Sequence, residues 1–275
     1  MRYRFPYFLF ATVLLAADAM TPGRADELAE KGRDIFKKHQ HAVVTVQVVV
    51  KMSYSGAGRT TENRQDLTGT VVDPSGLTVL ALSACDPSEM FQRMMSDEAA
   101  KSRLDIEVTD IKILLDDGTE IPSEIVLRDK DLDLAFIRPK TKPASPMVAL
   151  DFSRTAPVQV LDQVITLNRL NSAAGRAYAA SVERINAVIQ KPRTFYIPDS
   201  SMTATTLGSP AFALDGNVVG VFVMRAISVK SGGTRNVRDS MTNIILPADD
   251  IFKAAKQAPE AKGGEEKKEA PKEAK

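Results

Sequence analysis

Short apolar runs separated by tight-turn sequences fill most of the chain. The sequences DPSG (Asp73–Gly76), DDG (Asp116–Gly118) and LDG (Leu214–Gly216) each separate two such runs. Asp and Gly favour hairpin turns, because glycine tolerates a left-handed backbone and aspartate hydrogen-bonds to nearby amides. Turn signals that recur roughly every 10 residues are typical of a β-barrel or a β-sandwich. The middle of the chain is therefore predicted to be all-β.

Helices are predicted only near the two ends. DELAEKGRDIFKKHQ places Leu28, Ile35 and Phe36 among charges, as a short amphipathic helix does. The valine-rich run AVVTVQVVVKM that follows favours a strand. LPADDIFKAAKQ has acidic residues at its start and lysines at its end, the polarity of a closing helix. The final segment, 258–275, lacks large apolar residues and is predicted to be a disordered charged tail.

The first residues have the order of a secretion signal. Arg2 and Arg4 precede the apolar run FPYFLFATVLLAA, and small residues at Ala17–Ala19 and at Ala25 offer two cleavage sites. The run falls short of the roughly 20 apolar residues that span a bilayer, so cleavage is favoured over a retained anchor. No later segment is apolar enough to cross a membrane. The mature protein is expected to be periplasmic or secreted.

Charge and residue counts narrow the possible partners. The 36 basic and 35 acidic residues nearly cancel, which gives no reason to expect nucleic acid as a partner. Two histidines, His39 and His41, and one cysteine, Cys85, are too few for a zinc site. The turn aspartates lack the spacing of an EF-hand, so no metal or other cofactor is predicted. Cys85 lies in an apolar run and is expected to be a small buried side chain, with a reactive thiol as the alternative.

One segment interrupts the β pattern between Asp86 and Leu104. Met90, Phe91, Met94 and Met95 fall at helical spacing there. Such an apolar face is predicted to pack on its own domain, with partner docking as the alternative.

Three segments, in order, carry a family resemblance. GTVVDPSGLTVLALSA, the hairpin that ends in DLDLAF, and TTLGSPAFALDGNVVGVFV resemble successive segments of the HtrA (Do-like) trypsin-type serine proteases. The resemblance covers roughly residues 40–257. It implies a trypsin-like double antiparallel β-barrel with a cleft between the barrels. The expected organisation is a signal peptide (1–25), a helix and lead-in (26–41), two barrels (42–155 and 156–257, the second with the closing helix) and the tail, with no room for the family's PDZ domain.

The resemblance also assigns the catalytic positions, and two of the three are replaced. Such proteases use a serine nucleophile, a histidine base and an aspartate that orients the histidine. The aspartate is kept as Asp133, the histidine position holds Ser83, and the nucleophile position holds Leu207.

The oxyanion loop matches the family only in part. Gly208 and Ser209 follow the nucleophile position as in the family, but Thr205 stands where the family has glycine. No residue is therefore expected to be catalytic.

The sequence thus predicts an exported protease fold without protease chemistry, which binds proteins or extended peptides or acts as a scaffold. One alternative is an active serine endopeptidase with a displaced triad, for example one that uses Ser209 or a serine–lysine dyad. Another is an envelope structural protein whose charged tail does the binding.

Overall fold

The computed structural model describes residues 24–54, 59–88, 91, 104–199, 206–226 and 241–260. Residues 1–23 of the predicted signal peptide, most of the segment between Asp86 and Leu104, Thr205 and the predicted tail beyond Glu260 lie outside these ranges. The predictions made for them stay predictions. Phe91 is described, and its amide donates to the Pro87 carbonyl at 3.0 Å.

The first half of the chain closes into a six-stranded antiparallel barrel. Its strands are β1 (Val43–Tyr54), β2 (Arg59–Val71), β3 (Thr78–Ala81), β4 (Leu104–Leu114), β5 (Glu120–Asp129) and β6 (Leu134–Pro139). Their order around the barrel is β1-β2-β3-β6-β5-β4. Alternate residues of β1, namely Val44, Val46, Val48 and Val50, are buried in one apolar cluster, as the two-residue period of a strand requires.

The second half forms another closed six-stranded barrel, which confirms the predicted fold class. Its strands are β7 (Gln163–Arg169), β8 (Tyr178–Ile189), β9 (Phe195–Pro198), β10 (Pro210–Phe212), β11 (Val218–Ala226) and β12 (Met241–Pro247). Their order is β10-β11-β12-β9-β8-β7.

Three α-helices and two single-turn 3-10 helices, Gln40–Ala42 and Ser172–Ala174, have described bounds outside the strands. The α-helices are α1 (Arg24–His39), the short α2 (Leu82–Cys85) and α3 (Ala248–Ala255). Helices α1 and α3 confirm the two helices predicted near the ends. Ile35 of α1 and Ile251 of α3 are buried, so each helix packs an apolar side onto the barrels. None of the described helices is long and apolar enough to cross a membrane.

The three predicted turns are confirmed, and each contains a glycine with a positive φ. Gly76, Gly118 and Gly216 have φ of +94°, +84° and +83°, which an L side chain rarely adopts. In each turn an aspartate accepts a hydrogen bond from the amide two residues on: Asp73 from Ser75, Asp117 from Thr119 and Asp215 from Asn217, at 2.8–2.9 Å. These local bonds explain why Asp-Gly sequences mark the hairpins.

Buried threonines of the first barrel bind the backbone of the second. Thr68 and Thr70 lie two residues apart on β2 and are fully buried. The Thr70 hydroxyl donates to the Gly208 carbonyl at 2.8 Å, and the Arg169 amide donates to the Thr68 hydroxyl at 3.1 Å. The barrels are therefore joined by directional bonds in addition to apolar contact.

The C-terminal end of the described chain returns to the first barrel. After α3, the Pro259 carbonyl accepts a hydrogen bond from Arg138 Nε at 2.8 Å. Arg138 is buried and also donates to Ser75 Oγ at 2.7 Å. Residues 258–260, predicted to be the start of the disordered tail, are thus held against β6, because the buried Arg138 uses the Pro259 carbonyl as an acceptor.

Candidate functional site

Ser83 and Asp133 come together because their strands are neighbours. Ser83 lies in α2, directly after β3, and Asp133 directly precedes β6. Strands β3 and β6 are paired, with Ala81 opposite Leu134. Asp133 has a φ of +58°, a left-handed conformation that aspartate tolerates better than most residues. This backbone turns the carboxylate towards α2.

Three donors hold the Asp133 carboxylate. Oδ1 accepts the Ser83 amide at 2.7 Å, and Oδ2 accepts the Ser83 hydroxyl at 2.9 Å. Oδ2 also accepts the Met224 amide of β11 at 2.7 Å. Ser83 and Asp133, which are 50 residues apart in the sequence, are therefore in direct contact. A carboxylate with this set of donors stabilises the junction of the two barrels without a histidine.

The turn at the nucleophile position is fixed against β11 and β2. The Gly208 amide donates to the Phe222 carbonyl at 2.8 Å, and the Phe222 amide donates to the Ser209 carbonyl at 2.9 Å. Gly208 has a φ of +87°. A Cβ there would lie 2.1 Å from the Thr68 carbonyl oxygen, so only glycine fits.

Leu207 and Ser209 are both buried in this turn. Leu207 is 4% exposed and belongs to the apolar cluster that contains Ala81 and Leu134. On β11, Phe222 is hydrogen-bonded to this turn, and Met224 is hydrogen-bonded to Asp133, the partner of Ser83. The three triad positions therefore lie near one short stretch of β11. Ser209 is fully buried, which leaves its hydroxyl out of reach of a substrate. Leu207 has no atom that can attack a carbonyl.

A hollow opens beside Ser83 and Asp133. Its volume is about 230 Å³, below the roughly 300–1,000 Å³ of typical small-molecule sites. The described residues that line it are Leu82, Ser83, Asp86, Lys130, Asp131, Leu132, Asp133, Arg193, Phe195, Met224, Arg225, Ile244 and Leu246. Leu207 and both histidines are not among them. The hollow has room for about one amino-acid side chain.

Sequence reasoning missed a polar cluster elsewhere between the barrels. Arg169, at the end of β7, is buried and donates through Nη1 to Asp116 Oδ1 at 2.9 Å. Its guanidinium carbon lies 3.8 Å from the centre of the Tyr178 ring, and the Tyr178 hydroxyl donates to Asp116 Oδ2. Burial alone would raise the pKa of Asp116, but the hydrogen bonds from Tyr178 and Arg169 outweigh it and lower the pKa.

The histidines and the cysteine do not supply the missing base or nucleophile. The His39 ring stacks on Phe212 with the ring centres 4.9 Å apart, and burial followed by the charge of Lys38 lowers its pKa. His41 Nδ1 lies 3.2 Å from the Tyr178 hydroxyl, in the Arg169 cluster. Cys85 is fully buried, as predicted, and burial raises its pKa. The described residues contain no group of three His, Cys, Asp or Glu that could hold a metal ion.

Comparison with known proteins agrees with this geometry. The family model "trypsin-like peptidase domain" matches residues 37–221. A curated relative, "Putative protease Do-like 14" of Arabidopsis thaliana, is 27% identical over 183 residues. That match covers 64% of this chain and 39% of the relative, so the chain spans well under half of the relative's length. Two closed barrels, the paired Ser83 and Asp133, and these matches place the chain in the trypsin-like peptidase family, with similarity to its Do-like proteases.

Proposed function

We propose that this protein is a noncatalytic member of the family that binds extended peptide segments of other proteins in the cleft between its barrels. The observation that carries the proposal is the Asp133 carboxylate. This carboxylate accepts hydrogen bonds from the Ser83 amide, the Ser83 hydroxyl and the Met224 amide. The aspartate has kept its position, but it stabilises the cleft instead of orienting a base.

The replaced residues support the loss of chemistry. A serine hydroxyl does not accept a proton near neutral pH, so Ser83 cannot act as the general base. Leu207 cannot form an acyl intermediate, and the fully buried Ser209 is not placed to take over. Loss of the nucleophile or the base removes most of the rate enhancement of such a triad.

Binding needs none of these groups, because a peptide can add to a strand through backbone hydrogen bonds. Strand β12 covers one side of β11 as far as Ala226, whereas β10 covers the other side only as far as Val221. The Phe222 and Met224 amides point away from β12, to Ser209 and Asp133. Since strand amides alternate in direction, the Ala226 amide points the same way. No described strand pairs with that edge beyond Phe222, so it supports peptide addition.

The order of the first residues supports export, and the function is therefore proposed for the periplasm or the secreted fraction. N-terminal sequencing of the mature protein should give a start soon after Ala19 or Ala25. A membrane-bound product that retains Arg2 would contradict export with cleavage.

The experiment changes the proposed binding edge by one residue. Ala226→Pro removes the edge amide but leaves the pairing of β11 with β12, because that amide points away from β12. Ala226→Ser keeps the amide and is the matched control. Binding of a fluorescein-labelled, reduced and carboxymethylated protein should weaken at least about 10-fold in Ala226→Pro, which corresponds to roughly 1.4 kcal/mol, and should be unchanged in Ala226→Ser. Equal binding by both variants, or no binding by the unmutated chain, would reject the proposal.

A further inference from the structure

Two arginines face the hollow without an acidic partner among the described residues. Arg193 is exposed and makes no hydrogen bond or ion pair with them. The guanidinium carbon of Arg225 lies 4.9 Å from the centre of the Phe195 ring, and none of the described carboxylates pairs with it. A guanidinium stacked on a ring keeps its N–H edge available for a carboxylate. Both arginines belong to the second barrel: Arg225 lies on β11, and Arg193 lies in the connection between β8 and β9.

The carboxylates of the hollow lie on the opposite wall, which the first barrel forms. Asp133 is hydrogen-bonded as described above. Asp86 is paired with Arg128 Nε at 3.2 Å and accepts the Ser88 hydroxyl at 2.6 Å. Asp131 is exposed on this wall beside Lys130. The first-barrel wall thus carries three aspartates and Lys130, whereas the second-barrel wall carries the two arginines and none of the described carboxylates.

We propose that the peptide bound along β11 carries an Asp or Glu side chain that enters this hollow and binds Arg193 and Arg225. This inference rests on the proposed function and names the chemistry of its partner. Arginine binds a carboxylate through paired N–H groups, and such charge-assisted bonds are stronger than neutral ones. The hollow has room for one side chain, with Phe195 and Leu246 as apolar contacts for its methylene groups.

The test uses pairs of short extended peptides of Val, Ala and Ser, labelled with fluorescein. One member of each pair has Glu and the other Gln at a single position, and this position is moved along the peptide. At low salt, the Glu peptide of one register should bind the full-length protein at least about 10-fold tighter than its Gln partner. The Arg193→Gln/Arg225→Gln variant should bind both equally. The control Lys140→Gln/Lys142→Gln removes two positive charges from exposed positions after β6 and should keep the preference.

The outcomes separate this inference from the proposed function. If Glu and Gln peptides bind equally in every register while Ala226→Pro still weakens binding, the acidic preference is wrong and the peptide-binding function stands. If the lysine control loses the preference as the arginine variant does, the attraction comes from net charge and the specific site is rejected. If no peptide binds the unmutated chain, both proposals fail.

Discussion

The role of Asp133 is decided by its hydrogen-bond donors. In a protease of this fold, the aspartate orients a histidine. Here its acceptor capacity is used by the Ser83 amide, the Ser83 hydroxyl and the Met224 amide. The Met224 bond links β11 of the second barrel to the start of β6 in the first. Asp133 is therefore a structural link between the barrels.

This role predicts unequal effects of two substitutions at one contact. Asp133→Ala leaves the Ser83 and Met224 amides without their acceptor and should lower the free energy of unfolding by about 3 kcal/mol. Ser83→Ala removes only one hydroxyl donor and should cost about 1 kcal/mol. Urea denaturation of both variants measures the difference. Equal losses of unfolding free energy in the two variants would show that the Asp133 carboxylate is not the main stabilising group of this contact.

Among the connections between strands, glycines with a positive φ determine where the chain can reverse direction. Gly208 and Gly216 have nearly the same φ, +87° and +83°. Their surroundings differ, because a Cβ at Gly208 would overlap the Thr68 carbonyl whereas a Cβ at Gly216 would meet no atom within 4 Å. The turn around Gly208, at the nucleophile position, is thus packed against the first barrel. The hairpin turn around Gly216, before β11, is open to solvent.

A matched pair of alanine substitutions tests this difference. Gly216→Ala should cost about 1–2 kcal/mol, the strain of a left-handed alanine. Gly208→Ala adds a backbone overlap and should cost more than about 4 kcal/mol or prevent folding. Thermal unfolding followed by circular dichroism compares the two. Similar melting temperatures would contradict the packing of the nucleophile turn against β2.

The same elements show why the sequence predicts part of the structure and not the rest. The Asp-Gly turns form through local hydrogen bonds, so their residues are visible in the sequence. Ser83 and Asp133 could be paired only through the ordered family motifs, because they are 50 residues apart. The Met224 donor is a backbone amide, so its hydrogen bond to Asp133 cannot be recognised from the type of residue in the sequence. Arg169 and Asp116, 53 residues apart, meet only when both barrels close, and no local pattern signals their contact.

At the scale of the whole molecule, the Arg169 cluster links the barrels and responds to pH. Asp116 belongs to the turn between β4 and β5, whereas Arg169 and Tyr178 belong to the second barrel. The folded-state pKa of Asp116 lies below its unfolded value, which is about 3.9 for a free aspartate. Its ionised form therefore contributes stability above about pH 4, and this contribution is lost as the pH falls through the lower folded-state value.

Asp116→Asn should remove that contribution. At pH 7 the variant should lose about 2 kcal/mol, less than the 3–5 kcal/mol of a fully buried pair because Asp116 is half exposed. Its stability should also fall less than that of the unmutated chain between about pH 5 and pH 2. The double variant Asp116→Asn/Arg169→Met should lose less than the sum of the single changes, since neither charge is then left unpaired. Parallel acid profiles for the unmutated chain and Asp116→Asn would show that the cluster does not set the acid response.

We propose that this trypsin-type fold has no hydrolytic centre, and reaction with a fluorophosphonate tests this proposal most directly. The reagent forms a covalent adduct with an activated serine, so intact-mass spectrometry counts active sites whatever the substrate preference. The mature protein should show no adduct under conditions that fully label an active trypsin-like protease. It should also release no fragments from an unfolded protein. An adduct on the unmutated chain that disappears in Ser209→Ala or Ser83→Ala would contradict the claim.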